Sequence, residues 1–300
     1  MRVDPSYVTN LVDALNQVQS NTQLLSSELS SGMRVNSLSQ DPLAAGENVL
    51  LLNQMQQDDS FTQSSSLVTG QLQVADSALG QVVSQLTQAV SLATAANNGT
   101  MNASDRASIA NQLAGIRDEV LTLANSSYQG QFIFAGGMTS STPFSLITAT
   151  SPATVTYNGD GDVNILESPN GQKIQMNVPG DQIFAGAGSN HVFGALSSLI
   201  ADYSAGTMNP TQAASDTAAL NTALNYVSQQ RVTIDNSITQ LGASSAAISS
   251  QQTQLTAAQT NLMQADVAQV ATQMALAQTQ QTALMSVIAQ LGSGSLFDKL

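Results

Sequence analysis

The stretch of this chain most like a ligand site is NGDGD at 158–162, where carboxylates alternate with glycines as they do in calcium loops. The twelve-residue spacing with its closing glutamate is missing, so Asp160 and Asp162 read as parts of a tight hairpin turn. GAGS at 186–189 lacks the last glycine of a dinucleotide-binding turn and reads as a hinge. His191 is the sole histidine and Cys is 0, so no thiolate zinc site, multi-histidine site, thiol nucleophile or disulfide can form. His191 itself reads as a surface or capping residue near a helix start. Asp58 with Asp59, and Asp118 with Glu119, are adjacent on expected helices and point to different sides. Glycoside hydrolysis needs carboxylates facing across a cleft, so both pairs read as solvated faces. No catalytic, cofactor-binding or metal-ligating residue emerges, and no enzyme activity is expected.

Composition narrows the classes further. Seven Lys and Arg against 20 Asp and Glu give a net charge of -13 and a pI near 4.1, a field that repels phosphate backbones and anionic lipid. Neither nucleic acid nor membrane is expected as a partner. Aromatics at 4% with no Trp disfavour a carbohydrate-stacking platform. Charged residues are only 9% of the chain, against about 25% in an average domain, and Gln, Ser, Thr, Asn and Ala fill the gap. The amino terminus alternates polar and apolar residues, with no continuous apolar run of the kind a cleaved secretory signal carries.

The elements that carry these residues are mostly helices with narrow apolar seams. Val8, Leu11, Leu15, Val18, Thr22, Leu25 and Leu29 follow at steps of three and four, a coiled-coil pattern that Gly32 stops. Asp41 and Pro42 read as an N-cap and first helical residue, opening one long helix from Leu43 to about Ala96. Within it Leu72, Ala75, Leu79, Val82, Leu86, Ala89 and Ala93 keep the step. Ser104 and Asp105 are expected to cap a third helix with the stripe Ile109, Leu113, Ile116, Val120 and Leu123. From Gly130 to Gly188, glycine and proline punctuate the short runs QFIFAG, ATVTY, VNILE and KIQMNV, which read as strands. A short helix at 191–203, with Phe193, Leu196, Leu199 and Ile200 on one side, packs back onto the bundle. Beyond Pro210 about 80 residues return to helix, about 120 Å if unbroken, with Gly242 or the region near Asp266 as the expected break.

The terminal seams are thin. Half a dozen Leu and Val side chains do not offset the entropy of ordering the first segment, and pairing it with the carboxy-terminal stripe still leaves most of each helix bare. Those bare faces carry small uncharged residues rather than the Glu and Lys that keep a free coiled coil soluble. They suit burial against copies of the same chain, so the termini are expected to order on assembly.

Several motifs are more specific. LSSGMRVNSLSQDPLAAG at 29–46 resembles the amino-terminal block shared by bacterial flagellins and flagellar hook-associated proteins. YQGQFIFAGGMTSSTPF at 128–144, VTYNGDGD at 155–162, MNVPGDQIF at 176–184 and SLFDKL at 295–300 resemble the third hook-associated protein type, the hook-filament junction branch of the flagellin superfamily. The resemblance implies a ring-forming adapter lying between the first hook-associated protein and flagellin. It further implies export through the flagellar type III apparatus without signal cleavage, after holding by a small cytoplasmic chaperone, and a location at the extracellular hook-filament junction. By the same analogy Val8, Leu11, Leu15, Val18, Leu25 and Leu29, with Leu284, Ile288, Leu291, Leu296 and Phe297, line the inner packing layers of the tube. The absence of Cys suits passage in an unfolded state.

The expected fold is therefore mainly α with an inserted small β domain, a long antiparallel bundle with terminal coiled-coil helices. Its expected segments are 1–42 (amino-terminal coiled coil), 43–135 (bundle), 136–190 (β-rich insert), 191–255 (bundle) and 256–300 (carboxy-terminal coiled coil). A flagellin filament subunit is the nearest alternative. A secreted helical effector, or a cell-wall hydrolase using an insert carboxylate such as Asp160 or Asp162, is the alternative from another class.

Overall fold

The structure is a computed structural model and describes residues 5–97, 101–185, 192–205 and 207–296. His191 and the whole of GAGS at 186–189 lie outside them, as do the side chain of Val8, those of Leu291 and Leu296, and the whole of Phe297. Among the described residues six α-helices carry the architecture: α1 (Pro5–Ser31), α2 (Pro42–Ala96), α3 (Ala103–Ala124), α4 (Val192–Ser204), α5 (Pro210–Met263) and α6 (Val267–Leu296). The chain forms two compact units, residues 58–249 and residues 1–57 with 250–300, and α2 and α5 each contribute to both.

In residues 58–249 the seam of α2 is fully closed: Leu79, Val82, Leu86, Ala89 and Ala93 are all 0% exposed. The expected stripe of α3 is buried as well, and on α5 Leu220, Val227, Ile234 and Leu241 lie in the same core. On α4 Phe193, Leu196, Leu199 and Ile200 face inward, packing that helix against α3. Arg231 on α5 meets Asp76 on α2 in a two-pronged contact, Nε to Oδ1 at 2.7 Å and Nη2 to Oδ2 at 3.0 Å.

Details of the helix ends differ from expectation. Asn102, not Ser104 or Asp105, caps α3: its Oδ1 accepts the Asp105 N–H at 2.9 Å, because the helix starts at Ala103, two residues before its first charged residue. Of the two expected breaks Gly242 lies inside α5, and the one near Asp266 is found, between Met263 and Val267, where Asp266 Oδ1 accepts the N–H groups of Ala268 and Gln269. Asp58 is fully buried rather than solvated, while Asp59 is exposed. Stepping back along α2 from Leu72 by threes and fours reaches Val68, Ser65, Phe61 and then Asp58, so helical geometry puts it on the seam.

Among the described residues the β region is three separate antiparallel hairpins: β1 (Ser127–Tyr128) with β2 (Gln131–Phe132), β3 (Phe144–Ile147) with β4 (Thr154–Tyr157), and β5 (Ile165–Glu167) with β6 (Lys173–Gln175). Positive φ at both Gln129 and Gly130 makes the first turn, the geometry whose twist matches two-residue hairpins. A single π-helical turn at Asp181–Ala185 follows. NGDGD at 158–162 is not a hairpin turn, since β4 pairs backwards with β3 and β5 forwards with β6. Instead it laces onto FAGG at 134–137: Asp160 N–H donates to Ala135 O at 3.2 Å, Gly137 N–H donates to Asp160 Oδ1 at 2.5 Å, and the Tyr157 hydroxyl donates toward Phe134 O and Asp160 O. Gly180 N–H also bonds Phe134 O, at 2.8 Å. Phe134, Phe144, Phe184, Phe193 and Tyr157 stack edge-on and tilted around this junction.

Candidate functional site: the terminal helix pair and its joint

Elements α1 and α6 pack along each other within the unit of residues 1–57 and 250–300. The shared face is narrow: Leu25, Ala265, Val270 and Ala277 are buried, with Val18 and Met274 against them. Of the residues expected to form assembly layers, Leu11, Leu15, Val18, Leu284 and Ile288 are half-buried here, Leu25 is buried, and Leu29 is 39% exposed. The structure thus brings Val18 and Leu284 to a single shallow apolar groove of about 360 Å³, also lined by Gln280, Ala283 and Val287. Leu29 is not part of the shared face.

Sequence reasoning missed the joint that fixes this pair to the start of α2. Gly32, at φ +70, ends α1 and turns the chain, and its carbonyl accepts the Ala265 N–H at 2.9 Å. Arg34 N–H donates to Met263 O at 2.7 Å, and Met33 bridges Gln264 antiparallel. The Arg34 guanidinium then spans the joint, Nη2 on Leu262 O at 3.0 Å and Nη1 on Asp41 Oδ2 at 3.1 Å. Asp41 Oδ1 caps α2 by accepting the Ala44 N–H at 3.0 Å. That N–H, and then Arg34, hold the Asp41 carboxyl below the usual carboxylate range. Beneath them Val35, Ala44, Ala45 and Met263 form a small buried cluster. The Asp41 cap was legible from Asp-Pro, but its pairing with Arg34 joins positions that no helical repeat relates.

Near the joint several large apolar side chains are exposed. Leu38, Leu43 and Leu50 are 71%, 74% and 72% exposed, and Val49 and Leu52 lie beside them on α2. On the terminal helices Tyr7, Val12, Val267, Leu276 and Met285 are exposed too. Isolated exposed apolar residues are ordinary, whereas such a concentration marks an interaction surface. α6 carries no charged residue. The arrangement offers packing, not chemistry: among the described residues no group of three His, Asp or Glu side chains could hold a metal, and no helix is long and apolar enough to cross a membrane. Asp118 pairs with Arg117, Nη2 to Oδ1 at 2.8 Å, while Glu119 points to solvent.

Comparison with known proteins agrees with this geometry. Residues 7–139 match the bacterial flagellin N-terminal helical region. The chain is 33% identical over 169 residues to flagellar hook-associated protein 3 of Salmonella typhimurium, covering 56% of this chain and 51% of that protein. It is 37% identical over 119 residues to flagellar hook-associated protein 3 of Escherichia coli, covering 39% and 38%. The chain therefore spans about half the length of the first of these relatives and less of the second. A solved chain from Vibrio parahaemolyticus, described as a flagellar hook-associated protein, aligns with a TM-score of 0.66 at 19% identity over 75% of this chain and all of its own, which shows the fold. Part of the chain is thus similar to the flagellin N-terminal helical region and part to flagellar hook-associated protein 3.

Proposed function

We propose that this chain is a structural adapter of the bacterial flagellum, a ring-forming subunit at the extracellular joint between hook and filament, with no enzymatic step of its own. The observation that carries the reading is the exposed apolar surface around the Arg34–Asp41 joint and along α1 and α6, which a free chain leaves in water. The shared name of both curated relatives supports the same reading. Its partners are copies of itself, the first hook-associated protein on the hook side, flagellin on the filament side, and an export chaperone before secretion. Segments 1–42 and 256–300 act as the assembling tails, and the β-rich 136–190 as an insert between the bundle segments 43–135 and 191–255. Val8, Leu11, Leu15, Val18, Leu25, Leu29, Leu284, Ile288, Leu291, Leu296 and Phe297 supply the packing layers. The mechanism is geometric. One surface matches a hook-side ring and another a filament-side ring, so the adapter absorbs the mismatch between two polymers.

A deletion strain tests this. Flagellin secreted but unpolymerised, with filaments restored by the wild-type chain, is the expected result. Loss of subunit protein instead would identify a filament subunit, and normal filaments would overturn the reading. In the same strain the double variant Leu43→Ser with Leu50→Ser should fold as the wild type by circular dichroism yet fail to restore filaments.

A further inference from the structure

We infer that Asn170, followed by Gly171 at the tip of the β5–β6 hairpin, is a site of spontaneous covalent modification that turns it into aspartate or isoaspartate and loosens the tip from α5. This inference is independent of the proposed function. Among the described residues the dipeptide Asn-Gly occurs at 158–159 and at 170–171, and Asn98–Gly99 lies outside them. A glycine after asparagine has no Cβ to shield its peptide nitrogen, which can then attack the amide carbon of the asparagine. Reaction depends on whether the local fold lets both groups move.

At the hairpin tip they can. Asn170 and Gly171 are both exposed, and among the described residues no hydrogen bond holds the Asn170 side chain. A Cβ built on Gly171 would meet nothing within 4 Å, so this peptide has room to turn. The Gly171 N–H donates to Ser168 O at 2.8 Å, one bond that fraying of an exposed tip releases. At 158–159 the same two residues are held. Asn158 Nδ2 donates to Ser145 Oγ at 3.0 Å and its backbone N–H to Pro143 O at 2.7 Å, fixing it against the start of β3. A Cβ on Gly159 would press on the Tyr157 hydroxyl and lie 2.7 Å from Ala135 O. A ring closing across that peptide has no space to develop.

In the first step the Gly171 nitrogen bonds to Cγ of Asn170, and its proton leaves with the side-chain nitrogen as ammonia. Water then opens the ring. Attack at the side-chain carbonyl gives aspartate, while attack at the main-chain carbonyl gives isoaspartate, whose backbone runs through Cβ and Cγ. Either product adds a carboxylate to a chain of net charge -13. The isoaspartate form also lengthens the turn by one backbone atom. That turn is closed by Gly171 N–H to Ser168 O and Ser168 N–H to Gln172 O, both at 2.8 Å, with Gly171 at φ +80 in the bulge position. Gln172 Oε1 in turn accepts from Ser244 Oγ on α5 at 3.0 Å, which fastens the tip to the bundle. An added atom displaces these bonds, while the wholly buried Ile174 holds the rest of β6 in place.

The test is ageing of the full chain in mildly alkaline buffer, native and in denaturant, followed by mass spectrometry after cleavage at Glu167, which separates the two asparagines. In the native chain Asn170 should convert at least about tenfold faster than Asn158, as expected where two more hydrogen bonds must open. In denaturant the two should convert at similar rates. Asn170→Gln, whose longer side chain closes a larger ring far more slowly, should leave this site intact. Hydrogen exchange on peptides covering 165–175 should be faster in aged wild type than in aged Asn170→Gln. The inference is overturned if Asn170 stays unmodified in the native chain, if Asn158 keeps pace with it, if the ratio persists in denaturant, or if ageing leaves exchange at the tip unchanged.

Discussion

In residues 58–249, Leu79, Val82 and Leu86 of α2 are wholly buried, whereas in the terminal unit Leu11, Leu15 and Val18 of α1 remain half-exposed although their spacing is the same. The periodicity that makes a helix amphipathic is equal in both places, so it does not set the depth of burial. The number of surfaces available to cover the stripe does. In the larger unit the seam of α2 joins one core with residues of α3, α4, α5 and the hairpins, while the cluster at α1 gathers, among the described residues, Ala265 and a few small side chains of α6.

Deleting side-chain volume should separate the two regions most. Leu86→Ala is expected to cost about 2 to 5 kcal/mol, and Leu15→Ala less than about 1, as for a half-exposed site. Urea unfolding of each variant reads the difference directly, and equal costs would break the contrast. Added volume should act in opposite directions. A Cβ on Gly180 would lie 2.7 Å from Phe134 O and against the Phe144 ring, so Gly180→Ala should destabilise by about 1 to 3 kcal/mol. Gly46, helical with nothing within 4 Å, should gain about 0.5 to 1 kcal/mol as Ala. Thermal melts of the two variants moving the same way would contradict this packing contrast.

The smallest expected effect sharpens the picture at the joint. Because the Asp41 carboxyl is held below 3.8, its contribution is present above that value and lost as pH falls through its lower folded value. Acid should therefore loosen the 33–45 joint before the larger unit responds. Asp41→Asn, which keeps an acceptor for the Ala44 N–H but drops the charge, should remove that dependence. The amide resonances of Ala44 and Arg34 followed through an acid titration check it.

Much of the helical frame could be read from spacing alone, since each stripe in α2, α3, α4 and α5 is a local pattern that a single buried face enforces. The Asp41–Pro42 start and the Gly32 stop were legible for the same reason, being rules of one helix end. Asp58 was misread because its charge outweighed its phase, although the seam through Phe61, Val68 and Leu72 passes over it. Strands β1 and β3 escaped notice as short runs whose pairing depends on a turn and on Asn125, which brackets Phe144 with both its amide atoms. NGDGD at 158–162 looked like a turn because its residues favour one. Its actual role depends on FAGG, over twenty residues earlier, through contacts no local rule specifies. The Arg34 clamp is the extreme case, linking the end of α1 to residues over two hundred positions away.

The contrast between a closed core and a thinly covered terminal pair is tested most directly by hydrogen exchange on the free chain and on the ring proposed for it. Peptides from α2 around 79–93 should be strongly protected in both, while those from α1 and α6 should exchange fast in the free chain and slow by orders of magnitude on assembly. Strong protection of α1 and α6 in the free chain, equal to that of α2, would contradict it.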